Sequence, residues 1–158
     1  MEKDPVRRFL ERGGLWVATQ FILLMAVFAL SVIYQGGVQH DAVRWAGVTL
    51  LIVSGLCLFA GFRALGRQLT PFPKPADGGK VVQGGVYGWV RHPIYTGVLA
   101  GVWGWAVYYA SWPGLVLAVV CVAFFDAKAR REEAWLTNKY PEYAGYARQV
   151  SRFIPFLY

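Results

Sequence analysis

The chain has 158 residues, of which 56% are hydrophobic, 16% aromatic and only 16% charged, with a formal net charge of +7. A composition so apolar and charge-poor excludes an ordinary soluble domain, and the length allows one domain of modest size. The positive charge invites a nucleic-acid reading, but the basic residues flank apolar runs and form no reader motif, so no nucleic-acid partner is expected.

Residues 1–12 form a polar, basic lead-in carrying Lys3, Arg7, Arg8 and Arg12. Residues 13–40 then contain no Asp, Glu, Lys or Arg. A membrane helix needs about 20 mostly apolar residues, so a first span is expected over 15–34. The run is too long for a signal-peptide core and no small-x-small site closes it, so it is expected to be retained. A short external loop over 35–43 leads to a second charge-free run at 45–62 and a span over 45–65.

Residues 70–88 break the pattern. Pro71, Pro73 and Pro75, followed by Gly78, Gly79, Gly84 and Gly85, cannot continue a helix. A connection of this length is either a structured loop that carries a site or a linker. The third charge-free run, 93–125, is interrupted by Ser111-Trp112-Pro113-Gly114 and reads as a helical hairpin with two short arms. Its second arm is expected to continue past the membrane surface to residue 139, where Pro141 stops it. The aromatic tail over 142–158 is consistent with a short interfacial helix. The expected fold is therefore an all-α integral membrane protein with about four transmembrane helices. It forms one membrane domain, with a two-helix part at 1–69 and a second part at 70–158.

In this topology 15 of the 16 basic residues fall on one side of the membrane and only Arg44 falls on the other. The positive-inside rule then places both termini and the central loop in the cytoplasm, with the protein in the cell membrane. Cys57 and Cys121 lie inside apolar segments and read as small hydrophobes. With two His in the chain, no metal cluster is expected.

Three polar groups converge on the cytoplasmic side. One is the glycine-rich loop over 80–87, whose backbone amides lie open to a ligand. Another is Arg91-His92-Pro93-Ile94-Tyr95-Thr96-Gly97 at the mouth of the third apolar run. The last is Glu132-Glu133 with Tyr143 and Tyr146. The hairpin brings the Arg-His pair beside the Glu pair, and ionisable groups at a bilayer edge call for a functional explanation. Each residue also has an ordinary reading: a bonded interfacial His, a snorkelling Arg, balanced charges on a helix face, or a Tyr in an aromatic belt. Together they outline a pocket for a polar cofactor that meets a lipid-like substrate.

The stretch from Val82 through Gly85, Tyr87, Arg91, His92, Pro93, Tyr95 and Gly97, followed by Glu132-Glu133, Tyr143-x-x-Tyr146 and Arg152, resembles the C-terminal signature of the isoprenylcysteine carboxyl methyltransferase and phospholipid methyltransferase families. The likeness covers roughly the second half of the chain. Where relatives have Gly-Pro-Tyr-Arg, this chain has Gly85-Val86-Tyr87-Gly88. The resemblance implies an integral-membrane methyltransferase that binds S-adenosylmethionine through residues 70–158, with a lipid-like or isoprenylated acceptor, a carboxylate foremost. By position, it implies that Val82, Gly85, Tyr87, His92, Tyr95, Tyr143 and Tyr146 contact the cofactor together with Glu132 or Glu133, the choice between the two staying open. Arg91, Glu133 and Arg152 become the candidates for catalysis, the two arginines orienting an anionic acceptor or the cofactor carboxylate. Alanine at Glu133 or His92 is expected to weaken cofactor binding without unfolding the protein. A membrane NADPH-dependent sterol-type reductase and a non-catalytic membrane subunit remain alternative readings.

Overall fold

In the computed structural model, which describes residues 4–36, 40–70, 72 and 81–157, every regular element is helical. In chain order these are α1 (Pro5–Glu11), α2 (Gly14–Ile33), α3 (Asp41–Leu65), α4 (Pro93–Tyr108), α5 (Trp112–Lys139) and α6 (Tyr143–Gln149). Single 3-10 turns occupy Gly66–Gln68 and Gly85–Gly88. Among the described residues there is no strand, only an isolated parallel bridge between Val90 and Ser151. Pro71, Pro73, Pro75, Gly78, Gly79 and Lys80, which the sequence marks as a break, lie outside the described residues.

Among the described residues, three helices (α2, α3 and α5) are long and apolar enough to cross a membrane. The count of four spans expected from the sequence meets a shorter α4. Its 16 residues rise roughly 24 Å at about 1.5 Å each, short of the roughly 30 Å hydrocarbon layer. The outer faces carry the signature of a lipid-facing surface. Ile22, Met25, Leu56 and Phe59 are each more than 60% exposed, an arrangement that water would penalise and acyl chains would not.

α4 lies between α3 and α5, and α2 closes the bundle against α5 and α4. Val27 of α2, Leu99 and Val102 of α4, and Ala118, Cys121 and Phe125 of α5 form the core. The turn into α5 is held by Ser111. Its Oγ accepts from the Gly114 amide at 3.3 Å, capping the helix, and its hydroxyl reaches the Leu30 carbonyl of α2 at 3.3 Å.

The seam between α3 and α4 depends on missing side chains. A Cβ placed on Gly104 would sit 3.0 Å from the Gly47 carbonyl oxygen and 3.0 Å from the Leu51 amide nitrogen. One placed on Gly97 would meet the Leu58 amide nitrogen at 3.0 Å. Small residues allow membrane helices to approach this closely. We therefore expect Gly104→Val to destabilise the protein by about 2 kcal/mol, because the obstruction is backbone and cannot rotate away. Thermal unfolding in detergent measures this, and the parent transition temperature would contradict it.

Candidate active site

The site begins where α4 begins. Pro93 occupies the first helical turn, where its missing amide costs nothing, and Arg91 and His92 immediately precede it. Their backbone amides donate to the carbonyls of Ser151 (2.8 Å) and Arg152 (3.1 Å). The Thr96 hydroxyl donates to the Phe153 carbonyl at 2.9 Å. The C-terminal segment is thereby laced along the mouth of α4.

Above this mouth, α5 presents two carboxylates in different directions. Glu133 is the hub of a charge network. Its Oε1 accepts from Arg91 Nε at 3.0 Å and from Arg152 Nε at 3.0 Å. The same oxygen lies 3.0 Å from His92 Nε2. Its Oε2 accepts from Arg152 Nη2 at 2.9 Å. Arg152 also donates to Asp126 Oδ1 at 2.7 Å, and Asp126 Oδ2 in turn accepts from Arg130 at 2.7 Å. Arg91 completes its fork on the carbonyls of Ala147 and Val150, the latter at 2.7 Å. The network thus ties α4, α5, α6 and the C-terminal segment together.

Glu132 faces the other way, into a cavity of about 340 Å³, within the usual range of small-molecule sites of about 300–1,000 Å³. The Tyr95 hydroxyl donates to Glu132 Oε2 at 2.8 Å. The Tyr95 ring stacks on His92, with centroids 5.2 Å apart and planes 4° from parallel. His92 Nδ1 lies 3.8 Å from Glu132, so the imidazole stands between the two carboxylates. Tyr87, Tyr143 and Tyr146 complete the polar wall with Arg91, while Phe62, Leu65, Ile94, Val98, Phe125 and Leu136 make the apolar one.

Burial raises the pKa of Tyr87 and Tyr143 and pushes Tyr146 up to about 12. The carboxylate charge of Glu132 adds to the rise at Tyr87, and that of Glu133 adds to it at both others. All three phenols therefore stay neutral at physiological pH. Tyr146 uses its proton to bond the Tyr87 carbonyl at 2.6 Å, which fixes the loop before α4. That loop turns on Gly85, whose φ of 62° favours glycine.

Of the residues singled out from the sequence, Val82, Tyr87, Arg91, His92, Tyr95, Glu132, Tyr143 and Tyr146 line the cavity. Gly85, Glu133 and Arg152 are absent from its lining. Sequence reasoning missed several walls. Gln20 of α2 and Phe62 and Leu65 of α3 reach the cavity from the first 69 residues. Lys128, which no motif singled out, is 1% exposed and lines it too. The available signal was register. Phe125, Lys128, Glu132 and Leu136 follow one another at helical spacing on one face of α5. Among the described residues no group of three or more His, Cys, Asp or Glu is placed to hold a metal ion.

The fold and site define a class: an all-helical protein with bilayer-crossing helices and a mixed polar and apolar cavity beside its Arg-His-Pro turn. A family model described as phospholipid methyltransferase matches residues 42–143, about two thirds of the chain, and the protein belongs to that family. It is similar to a steroid 5-alpha-reductase DET2 of Gossypium hirsutum, 28% identical over 130 residues, which are 79% of this chain and 48% of that protein. It is also similar to the cobalt-zinc-cadmium resistance protein CzcN of Cupriavidus metallidurans, at 30% over 154 residues, 92% of this chain and 64% of that protein. A third relative is the protein-S-isoprenylcysteine O-methyltransferase B of Arabidopsis thaliana, at 28% over 154 residues, 92% of this chain and 78% of that protein. The chain thus spans about half the length of the first of these and under two thirds of the second.

Proposed function

We propose that this protein is an integral-membrane methyltransferase that uses S-adenosylmethionine to methylate a lipid-like acceptor, with a carboxylate as the reacting group. It would sit in the cytoplasmic membrane with both termini and the cavity on the cytoplasmic side, as the positive-inside rule favours. Short as α4 is, its end lies beside that of α2, where the Gly36 amide donates to the Tyr109 carbonyl at 3.0 Å, so α4 and α5 together return the chain to that side. The observation that carries the reading is the two-sided cavity: Glu132, held by Tyr95, stands among phenol rings on one wall, and aliphatic and aromatic side chains form the other.

The donor set fits the cofactor. Glu132 and the ring faces suit a cation, the aromatic side chains suit a flat base, and Arg91 suits a carboxylate. Bound there, S-adenosylmethionine supplies a methyl group on positively charged sulfur. The Tyr95 hydroxyl holds Glu132 in place, and the Tyr95 ring is itself stacked on His92, so the wall is organised before any ligand arrives. The apolar wall excludes water from the reacting atoms. A carboxylate acceptor is already nucleophilic at neutral pH and requires no base from the protein. An amine or thiol acceptor would need one, and His92 is the candidate.

Calorimetry on detergent-purified protein tests the reading. S-adenosylhomocysteine is expected to bind once per chain and NADPH not to bind. The reverse result would favour the reductase reading that the DET2 similarity raises, and no binding of either would favour a non-catalytic subunit.

A further inference from the structure

A second pocket lies at the C-terminal end of α6. It encloses about 240 Å³ and is lined by Arg91, Arg148, Gln149, Val150, Ser151 and Arg152. Of these residues only Arg91 also lines the larger cavity, so the two spaces are neighbours rather than one. Arg91 and Arg152 are tied to Glu133, and Arg152 also to Asp126, which Arg130 engages as well. Together with Arg148 these make four guanidinium groups against two carboxylates, which leaves the pocket wall positive. Arg148 is exposed. Its contact with the Ala144 carbonyl of its own helix is 3.4 Å long, beyond the usual range of a strong hydrogen bond.

The chain beside this pocket holds apolar side chains in the open. Trp89 is 62% exposed, Ile154 53%, Phe156 92% and Leu157 81%. Trp89 and Phe156 meet edge to face, with centroids 6.1 Å apart. The turn that presents them is strained. The Leu157 amide donates to the Ile154 carbonyl at 3.2 Å, and Phe156 inside that turn has a φ of 64°, a conformation usually left to glycine. Trp89 stands just before Pro93, the first residue of α4, at the depth where aromatic rings settle among lipid headgroups. An arginine pocket beside an exposed apolar patch at that depth matches the two halves of an acidic lipid, a phosphate and an acyl chain.

We propose that this corner is a docking site for an anionic phospholipid of the surrounding leaflet. Its phosphate enters the arginine pocket and its upper acyl carbons lie against Trp89 and Phe156. The lipid is a resident partner in which no bond is made or broken, and it is separate from any acceptor in the larger cavity. It pins the C-terminal segment to the bilayer surface, and with it the Arg152 end of the Glu133 network. The inference goes beyond the methyltransferase reading and does not depend on it.

The test titrates the detergent-purified full chain with dioleoylphosphatidylglycerol and dioleoylphosphatidylcholine, counting bound lipid by native mass spectrometry, and with inorganic phosphate by calorimetry. The wild type is expected to bind the anionic lipid at least tenfold more tightly than the zwitterionic one, and phosphate more weakly than the anionic lipid. Arg148→Gln removes most of that preference. Phe156→Gly relieves the strained turn, so it folds at least as stably, yet it weakens the anionic lipid about threefold and leaves phosphate unchanged. Equal binding of the two lipids by the wild type overturns the proposal, as does a folded Arg148→Gln that keeps the preference. Phosphate bound as tightly as the anionic lipid overturns it in favour of a soluble anion. If Arg148→Gln does not fold, Phe156→Gly decides, and an unchanged affinity for the anionic lipid there overturns the proposal.

Discussion

Replacing Glu133 with Ala is expected to lower the stability of the protein by about 3 kcal/mol, the most damaging single change among the residues around the cavity. The carboxylate is 14% exposed, and the Arg91 and Arg152 side chains it binds are 10% and 13% exposed. Removing it takes the shared carboxylate from two guanidinium groups that have largely left water, and breaking a buried pair costs about 3–5 kcal/mol. Asp126 still holds Arg152 and the Ala147 and Val150 carbonyls still hold Arg91, so the loss falls at the lower end. Glu133→Gln keeps both acceptor and volume and should recover about half the loss. Thermal unfolding in detergent is the measurement, and an unchanged transition for Glu133→Ala would show the network to be worth little. The sequence alone supports a different expectation, that this variant folds normally and binds cofactor poorly. The three contacts to Arg91 and Arg152 revise that expectation toward stability.

Glu132→Ala is expected to do the opposite. It should leave the unfolding transition within a few degrees of the parent and weaken S-adenosylhomocysteine binding roughly 30- to 100-fold. A hydrogen bond to a charged group contributes about 1.5–3 kcal/mol, and each 1.4 kcal/mol is about tenfold in affinity. Tyr95→Phe removes the donor at 2.8 Å that orients Glu132 and should cost less, about fivefold. Calorimetry reads both. Equal binding by Glu132→Ala and wild type would remove Glu132 from the site.

The contrast between these neighbours shows where sequence reading stops. Consecutive helical residues point about 100° apart, so a Glu-Glu pair must divide its labour. Which member faces the cavity depends on how α5 is rotated against α4, and neither side chain reveals that. The register of Phe125, Lys128, Glu132 and Leu136 carries the answer, but only once one of them is known to face inward.

Helix ends were easier to read, because local chemistry sets them. Ser111 and Pro113 mark the start of α5 and Pro141 its end, and the helix runs over Trp112–Lys139 as expected. α3 starts at Asp41, four residues before the expected span, since an acidic residue in the first turn favours a helix N-terminus. α1 went unread within the polar lead-in. It is short and carries an exposed Arg7–Glu11 pair one turn apart, and the break between it and α2 falls at Gly13, with φ 89°. The glycine seam of α3 and α4 was also hidden. Gly47, Ser54 and Gly61 recur every seven residues, but in an apolar run such spacing reads as generic until a partner helix is identified.

The most direct measurement is an experimental structure of the full chain solved with S-adenosylhomocysteine. The account predicts one ligand per chain in the cavity, in contact with Tyr95, Glu132 and Tyr143, with Glu133 still bound to Arg91 and Arg152. A ligand seated elsewhere, or a cavity that stays empty at saturating concentration, would contradict it.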